Sequence, residues 1–214
     1  MDYHWLIIMW WKWKKRAAYD VVEYWNQRDN PNSKDPNERN TQMHIDYVKS
    51  NIDKHDRILD FGPGVGRILP AYKRTNKITG YDISSKYRER LLETAEKERI
   101  DLELIVENKK ITKFTFSNDA FDAVVSVSVL LHQPPEQISN IMCELARIAK
   151  KVVIISWYDS TKPYDLIGEK RDETKFSFNH NYKEICEENE LKITSWDFDS
   201  EAKQAYFLYL GNHM

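Results

Sequence analysis

Cysteine is scarce in this chain: 214 residues hold two, Cys143 and Cys186. Neither their number nor their spacing gives a disulfide framework or a zinc site, so both are read as reduced thiols of a cytoplasmic protein, and no metal is expected. Long apolar runs are also missing. The stretch "HWLIIMWWKWKKR" holds a run of seven apolar residues, Trp5 to Trp11, far short of the ~20 that a membrane-spanning helix needs. A secretory signal would place its positive charges ahead of a longer apolar stretch, with a small-residue cleavage site after it, and this segment does not read that way. It reads as a helix packing its aromatics on the domain, with a membrane-surface or partner-binding helix as the alternative. Nor is there an excess of one charge. A net charge of -2 exerts no net pull on nucleic acid, and DNA is not an expected partner.

What is present describes a folded domain. Hydrophobic residues make up 41% of the chain and charged residues 31%, enough for a core and for a solvated surface. The length suits one domain. Residues 26–41, "NQRDNPNSKDPNERNT", carry two prolines and no apolar side chain. They read as a polar flap that separates an N-terminal segment (1–41) from a main domain (42–214). Strand-like runs at Arg57–Phe61, Lys77–Tyr81, Leu102–Val106, Ala123–Val127 and Val152–Trp157 alternate with helical patterns beginning near Gly66, near Ser85 and at Pro135. After a polar segment at 158–181, read as a lid, come a short helix at "NYKEICEENEL" and two runs, "KITSWDF" and "AYFLYLG". Their short connection makes them an antiparallel pair. The expected fold is α/β, a doubly wound, mostly parallel seven-stranded sheet with a C-terminal antiparallel hairpin and helices on both faces.

Glycine is scarce too, yet three of the six fall within five positions, Gly62, Gly64 and Gly66 of "ILDFGPGVG". Glycine costs backbone entropy, so the cluster marks a tight turn or a backbone that must come close to something. At the first strand-to-helix turn of a doubly wound sheet, that something is a ligand. The dinucleotide fingerprint needs a glycine where Arg67 stands. Instead the glycines alternate behind an acid, Asp60, as D-x-G-x-G-x-G.

This pattern resembles motif I of the class I S-adenosylmethionine-dependent methyltransferases. The likeness covers roughly residues 42–210. "ITGYDIS" ends the second strand on Asp82, where that family's acid holds both ribose hydroxyls; a carboxylate suits a diol because it accepts two hydrogen bonds at once. "FDAVVSVSVLLHQPPEQI" resembles the fourth strand and its loop, and "CELARIAKKVVIISW" the following helix and fifth strand. The resemblance implies S-adenosylmethionine as cofactor. It puts the backbone of Gly62, Gly64 and Gly66 under the methionine and ribose, Asp60 near the ammonium, Asp82 on the ribose, Ile83 on the adenine, and Ser126 of the fourth strand among the cofactor contacts. After the third strand, Asn108 meets the adenine amino group if the loop is aligned with a gap; ungapped alignment puts Lys110 there. The family's Lys-Pro-Gly-Gly turn before the fifth strand is missing, and "ARIAKKVVII" runs from helix straight into strand.

"YWNQR" resembles segments that some small-molecule and thiol methyltransferases fold over the cofactor, with Trp25 shielding the sulfonium and Arg28 pairing with the carboxylate. His132, just past the fourth strand, is the expected base or substrate contact. Tyr158 and His180 are weaker substrate candidates. No Asp/Asn-Pro-Pro-aromatic tetrad follows the fourth strand, and neither cysteine follows a proline at a strand end, which disfavours DNA-base methylation. The expected activity is methyl transfer to a polar small molecule, the flap and lid supplying recognition. The alternatives are a protein or RNA methyltransferase, or a non-catalytic cofactor-binding or interaction module of this fold.

Overall fold

The computed structural model describes residues 20–27, 38–73, 76–105, 113–159 and 177–211. The Trp5–Trp11 segment, Arg28, Asn108 and most of the 158–181 lid lie outside them. The described strands are β1 (Arg57–Phe61), β2 (Lys77–Tyr81), β3 (Leu102–Ile105), β4 (Phe121–Val127), β5 (Ala149–Trp157), β6 (Lys192–Asp199) and β7 (Gln204–Leu210). The helices are α1 (Val21–Gln27), α2 (Glu38–Asn51), α3 (Ser85–Glu98), α4 (Pro135–Ile148) and α5 (Tyr182–Glu188). The strands form one sheet of order β3-β2-β1-β4-β5-β7-β6. The first five are parallel, and β7 runs antiparallel between β5 and β6.

The central strands are near-continuous apolar runs because both of their faces are covered, as parallel sheets require. Neighbours in sequence therefore enter different cores. Leu59, Val124, Ile154 and Phe207 pack with Ile138 and Leu145 of α4 and Ile185 of α5. Ile58, Val125, Val153 and Leu208 pack on the other face with Val48 of α2 and Leu91 of α3. Helix α4 begins with Pro135, whose missing N–H would have had no helical partner, and Glu136 sits in its first turn, where the helix dipole favours an acid. Its buried stripe is the one read from sequence: Ile138, Ile141, Met142, Leu145 and Ile148. Ala149, directly after it, is already extended (φ -140°, ψ 149°), so helix passes to strand without a turn.

The structure departs from expectation in two places. No α-helix starts at Gly66; a series of turns leads to a 3-10 helix at Leu69–Ala71. An α-helix opening there needs an N–H at Pro70 to reach the Gly66 carbonyl, and proline has none. The chain uses i→i+3 bonds instead, Leu69 N–H donating to Gly66 O at 3.1 Å and Tyr72 N–H to Leu69 O at 3.0 Å. The polar flap, for its part, is not all loop. Helix α2 takes over at Glu38, two residues past Pro36, and a boundary at 41/42 cuts through it. Glu, Arg and Gln are good helix formers, but a first turn without apolar residues gives no periodicity to read. Among the described residues no helix is long and apolar enough to cross a membrane, and no group of three His, Cys, Asp or Glu could hold a metal ion.

Candidate cofactor and acceptor site

The sheet order reverses between β1 and β4, and ligands of such sheets bind at the carboxyl ends of the strands at that switch. A cavity of about 340 Å³ opens there. Its floor is the glycine turn, where all three glycines have positive φ: Gly62 +77°, Gly64 +58° and Gly66 +87°. The requirement differs at each. A Cβ on Gly62 would lie 2.4 Å from Val129 Cγ2, and one on Gly66 2.9 Å from Leu69 Cδ1, so those two let the turn press against its surroundings. A Cβ on Gly64 would meet nothing within 4 Å. Gly64 lines the cavity, and there the bare backbone faces the ligand space.

Asp82, just beyond β2, lines the same cavity and is 7% exposed. Gly64 N–H donates to Oδ2 and Ser84 N–H to Oδ1, each at 2.9 Å. Burial pushes its carboxyl pKa up, against the lowering effect of the Ser84 and Gly64 amides and the Arg88 charge. Each carboxylate oxygen has taken one of its two hydrogen bonds. A further acceptor site remains on each, the pattern that a vicinal diol matches. Ile83 follows it on the wall. A carboxylate with an acceptor site left on each oxygen, beside a bare backbone turn, fits S-adenosylmethionine.

Across the opening, Trp25 of α1 meets His132 edge-on at 4.8 Å and Tyr87 at 6.0 Å. Helix α1 is tied to α3 through Asn26 Oδ1, which accepts from Ser85 N–H at 3.2 Å. His132 closes a 3-10 turn at Leu130–His132, and its Nδ1 lies 3.3 Å from Ser177 Oγ. Ahead of that turn, Ser128 holds φ at +60° while its N–H donates to Ile155 O at 2.8 Å. A non-glycine residue in that region is strained, and here it lines the cavity.

Of the residues read from sequence, the structure brings Trp25, Gly62, Gly64, Asp82, Ile83 and His132 together on one wall. Others lie off it. Asp60 is 3% exposed behind the turn, its Oδ2 accepting from the Tyr72 hydroxyl at 2.8 Å. Burial raises its pKa to about 7, opposed by the Tyr72 bond and reinforced by the charge of Asp82. Gly66 packs on α3 instead of the cavity, Leu91 Cδ1 lying 3.0 Å from where its Cβ would be. Ser126 is fully buried inside β4, and the wall is taken by its successors Val127 and Ser128. Tyr158 packs edge-on against Trp196 and Phe198 of β6. His180 is fully buried between Phe178 and Tyr182. For these last two, packing against other aromatic rings outweighs exposure at a mouth.

Among the wall residues that escaped the sequence reading are His44, Arg67 and Gln204. His44 carried a signal, since His44, Val48 and Ile52 recur every four residues and are at most 5% exposed. A polar residue on a buried stripe is informative. Arg67 stands where the dinucleotide fingerprint needs glycine, and Gln204 directly precedes an apolar run. Neither position flags itself.

Comparison with known proteins agrees with this geometry. Residues 58–151 match the family model described as Methyltransferase domain. Over those residues the chain is similar to a methyltransferase domain, and its fold is that of the class I methyltransferases. The cofactor of such domains is S-adenosylmethionine. A phosphatidylethanolamine N-methyltransferase from Cereibacter sphaeroides is 29% identical over 109 residues, a match covering 50% of this chain and 53% of that protein. The similarity thus spans about half the length of the curated relative. The PH0226 protein of Pyrococcus horikoshii OT3 shares the methyltransferase fold at TM-score 0.66 and 17% identity, over 89% of this chain and 99% of that one. Magnesium protoporphyrin IX methyltransferase of Synechocystis PCC 6803, solved with S-adenosylmethionine bound, aligns at TM-score 0.64 and 17% identity, over 90% and 97%.

Proposed function

We propose that this methyltransferase domain transfers the methyl group of S-adenosylmethionine to a polar small-molecule acceptor held between His132 and the wall formed by α2 and the start of β7. The observation that carries the reading is Asp82, whose two oxygens are each fixed by one backbone N–H beside the open face of Gly64. When bound, S-adenosylmethionine supplies an electrophilic methyl on a sulfonium. The chain's own residues do the rest. Asp82 takes the ribose diol, Gly64 leaves room for the chain that runs to the sulfur, and Ile83 packs on the adenine. Trp25 keeps water from the opening; outside the described residues, Arg28 is proposed for the cofactor carboxylate and Asn108 for the adenine amino group. Methyl transfer needs in-line approach, so positioning and exclusion of water carry much of the rate. His132, oriented by Ser177, takes the proton that the acceptor loses.

The named activity of the Cereibacter relative, N-methylation of an amine, supports a nitrogen acceptor. Two free thiols, Cys143 and the buried Cys186, support a cytoplasmic setting. The test is calorimetry with S-adenosylmethionine and S-adenosylhomocysteine, followed by methyl transfer to a panel of soluble amines, thiols and carboxylates. Binding in the micromolar range together with turnover of one class supports the reading. Indifference to both cofactor forms at saturating amounts would sink it.

A further inference from the structure

We propose that Gln204 and Arg67, held by His44 and Thr41 of α2, form a subsite for an oxyanion, phosphate or carboxylate, carried by the methyl acceptor. This rests on the methyl-transfer reading of the same cavity. All of the wall's permanent charge among the described residues resides in two groups, Asp82 and Arg67. Asp82 is engaged with the amides of Gly64 and Ser84. Arg67 reaches the other way, its Nη1 donating to Thr41 Oγ1 at 3.2 Å.

Gln204 is the first residue of β7 and pairs with Trp157, the last of β5. Because β7 runs antiparallel, its start, not its end, lies at the ligand edge of the sheet. Two groups converge on the Gln204 Oε1 atom, His44 Nε2 at 2.8 Å and the Tyr206 hydroxyl at 3.1 Å. An amide oxygen has two lone pairs, so this oxygen is saturated and the side chain is fixed. Among the described residues no bond engages the amide nitrogen, and Gln204 lines the cavity. Two N–H donors are left for a ligand. His44, only 1% exposed, serves as a positioning residue.

Thr41 and His44 are three apart on α2 and share a face, with Cβ atoms ~5–6 Å apart. One helical turn thus brackets both donor groups, a guanidinium on Thr41 and an amide on His44. Both present N–H groups only, and one is cationic. An anionic oxygen pair is the chemistry they match, since a guanidinium fork grips phosphate or carboxylate with two parallel bonds. The lining therefore carries both kinds of group, a carboxylate for the sugar and donors for an anion.

The experiment saturates the protein with S-adenosylhomocysteine and titrates it with inorganic phosphate, phosphoethanolamine and ethanolamine by calorimetry. Phosphate and phosphoethanolamine should bind, with ethanolamine at least about 10-fold weaker. Gln204→Leu and Arg67→Gln should each weaken phosphate roughly 10-fold while leaving S-adenosylhomocysteine affinity within about twofold. His44→Phe should weaken phosphate as well, and His44→Gln, which keeps a donor, should recover part of it. Flotation with phosphatidylethanolamine vesicles separates the sources: co-flotation that Arg67→Gln abolishes assigns the anion to a lipid headgroup, and phosphate binding without flotation assigns it to a soluble ester. If the loaded wild-type protein ignores phosphate, the subsite does not exist. If Arg67→Gln weakens S-adenosylhomocysteine as much as phosphate, the guanidinium serves the cofactor and the proposal is overturned. Failure of S-adenosylhomocysteine itself to bind would remove the methyl-transfer reading, and this inference with it.

Discussion

The two walls of the cavity are built from different materials. On the β1–β2 side the ligand surface is main chain, a turn of glycines in which Asp82 holds the Gly64 amide. On the α2–β7 side it is side chains, Arg67 and Gln204, each held by another side chain from a helix distant in sequence. Main-chain surfaces constrain residue type severely, because only glycine accepts those dihedrals and that proximity. Side-chain surfaces constrain it hardly at all, since an Arg or Gln on a wall looks like an Arg or Gln in water. The first wall should break under small changes, and the second should lose ligand without losing fold.

The largest expected effect lies behind the main-chain wall. Asp60 has its pKa raised to about 7 by burial, so between its ordinary value near ~4 and about 7 the folded state binds a proton that the unfolded state has released. Stability from this group therefore falls as pH rises through that window and is level above it, a swing of roughly 4 kcal/mol. Denaturant melts at pH 4.5 and pH 8 should show the swing as a difference between wild type and Asp60→Asn, which keeps an acceptor for Tyr72 and lacks the titration. Equal pH dependence in both proteins would remove Asp60 as its source.

Next comes Gly62→Ala, which sets a methyl 2.4 Å from Val129 Cγ2 at φ +77°. It should cost about 3 kcal/mol in a thermal or denaturant melt, and Val129→Ala in the same chain should restore part of that. Asp82→Ala should lower S-adenosylmethionine affinity about 100-fold by calorimetry, through lost charge-assisted bonds. Gly64→Ala tests the open face. Its positive φ should cost about 1–2 kcal/mol in stability, with cofactor affinity falling beyond what the melt accounts for. Smallest of all, Gln204→Leu should leave cofactor affinity near wild type and cost about 1 kcal/mol in a melt, because buried His44 loses this acceptor. A large loss of affinity or stability in Gln204→Leu would erase the contrast between the walls.

The same contrast explains what could be read from the sequence. The five parallel strands and the terminal pair were legible because fully buried strands are apolar runs of the right length, as in "RILDF" and "AYFLYLG". The glycine turn was legible because its positive φ angles favour glycine; Asp82 was singled out only by its place after the second strand in the resemblance. What stayed hidden depended on partners far along the chain. Gln204 is 160 residues from His44, and no local pattern announces that pair. Pro70, in plain view, was enough to rule out an α-helix from Gly66, since only the missing N–H had to be counted. Tyr158 and His180 had the right chemistry for a mouth, yet His180 was claimed by the interior and Tyr158, half-buried, packs on β6, because packing settles where an aromatic goes and composition does not.

The place of β7 bears on the order in which the two walls arise. It is hydrogen-bonded to β5 on one side and β6 on the other, yet it follows all the other described strands in the chain. Residues 57 to 132 already hold the glycine turn, its acid and the histidine opposite, and they emerge early, when chains begin to fold from the N-terminus. The amide at position 204 arrives only when the sheet closes. A nascent chain halted before that point would hold the glycine turn, Asp82 and Arg67 and still lack the amide that completes the proposed acceptor subsite.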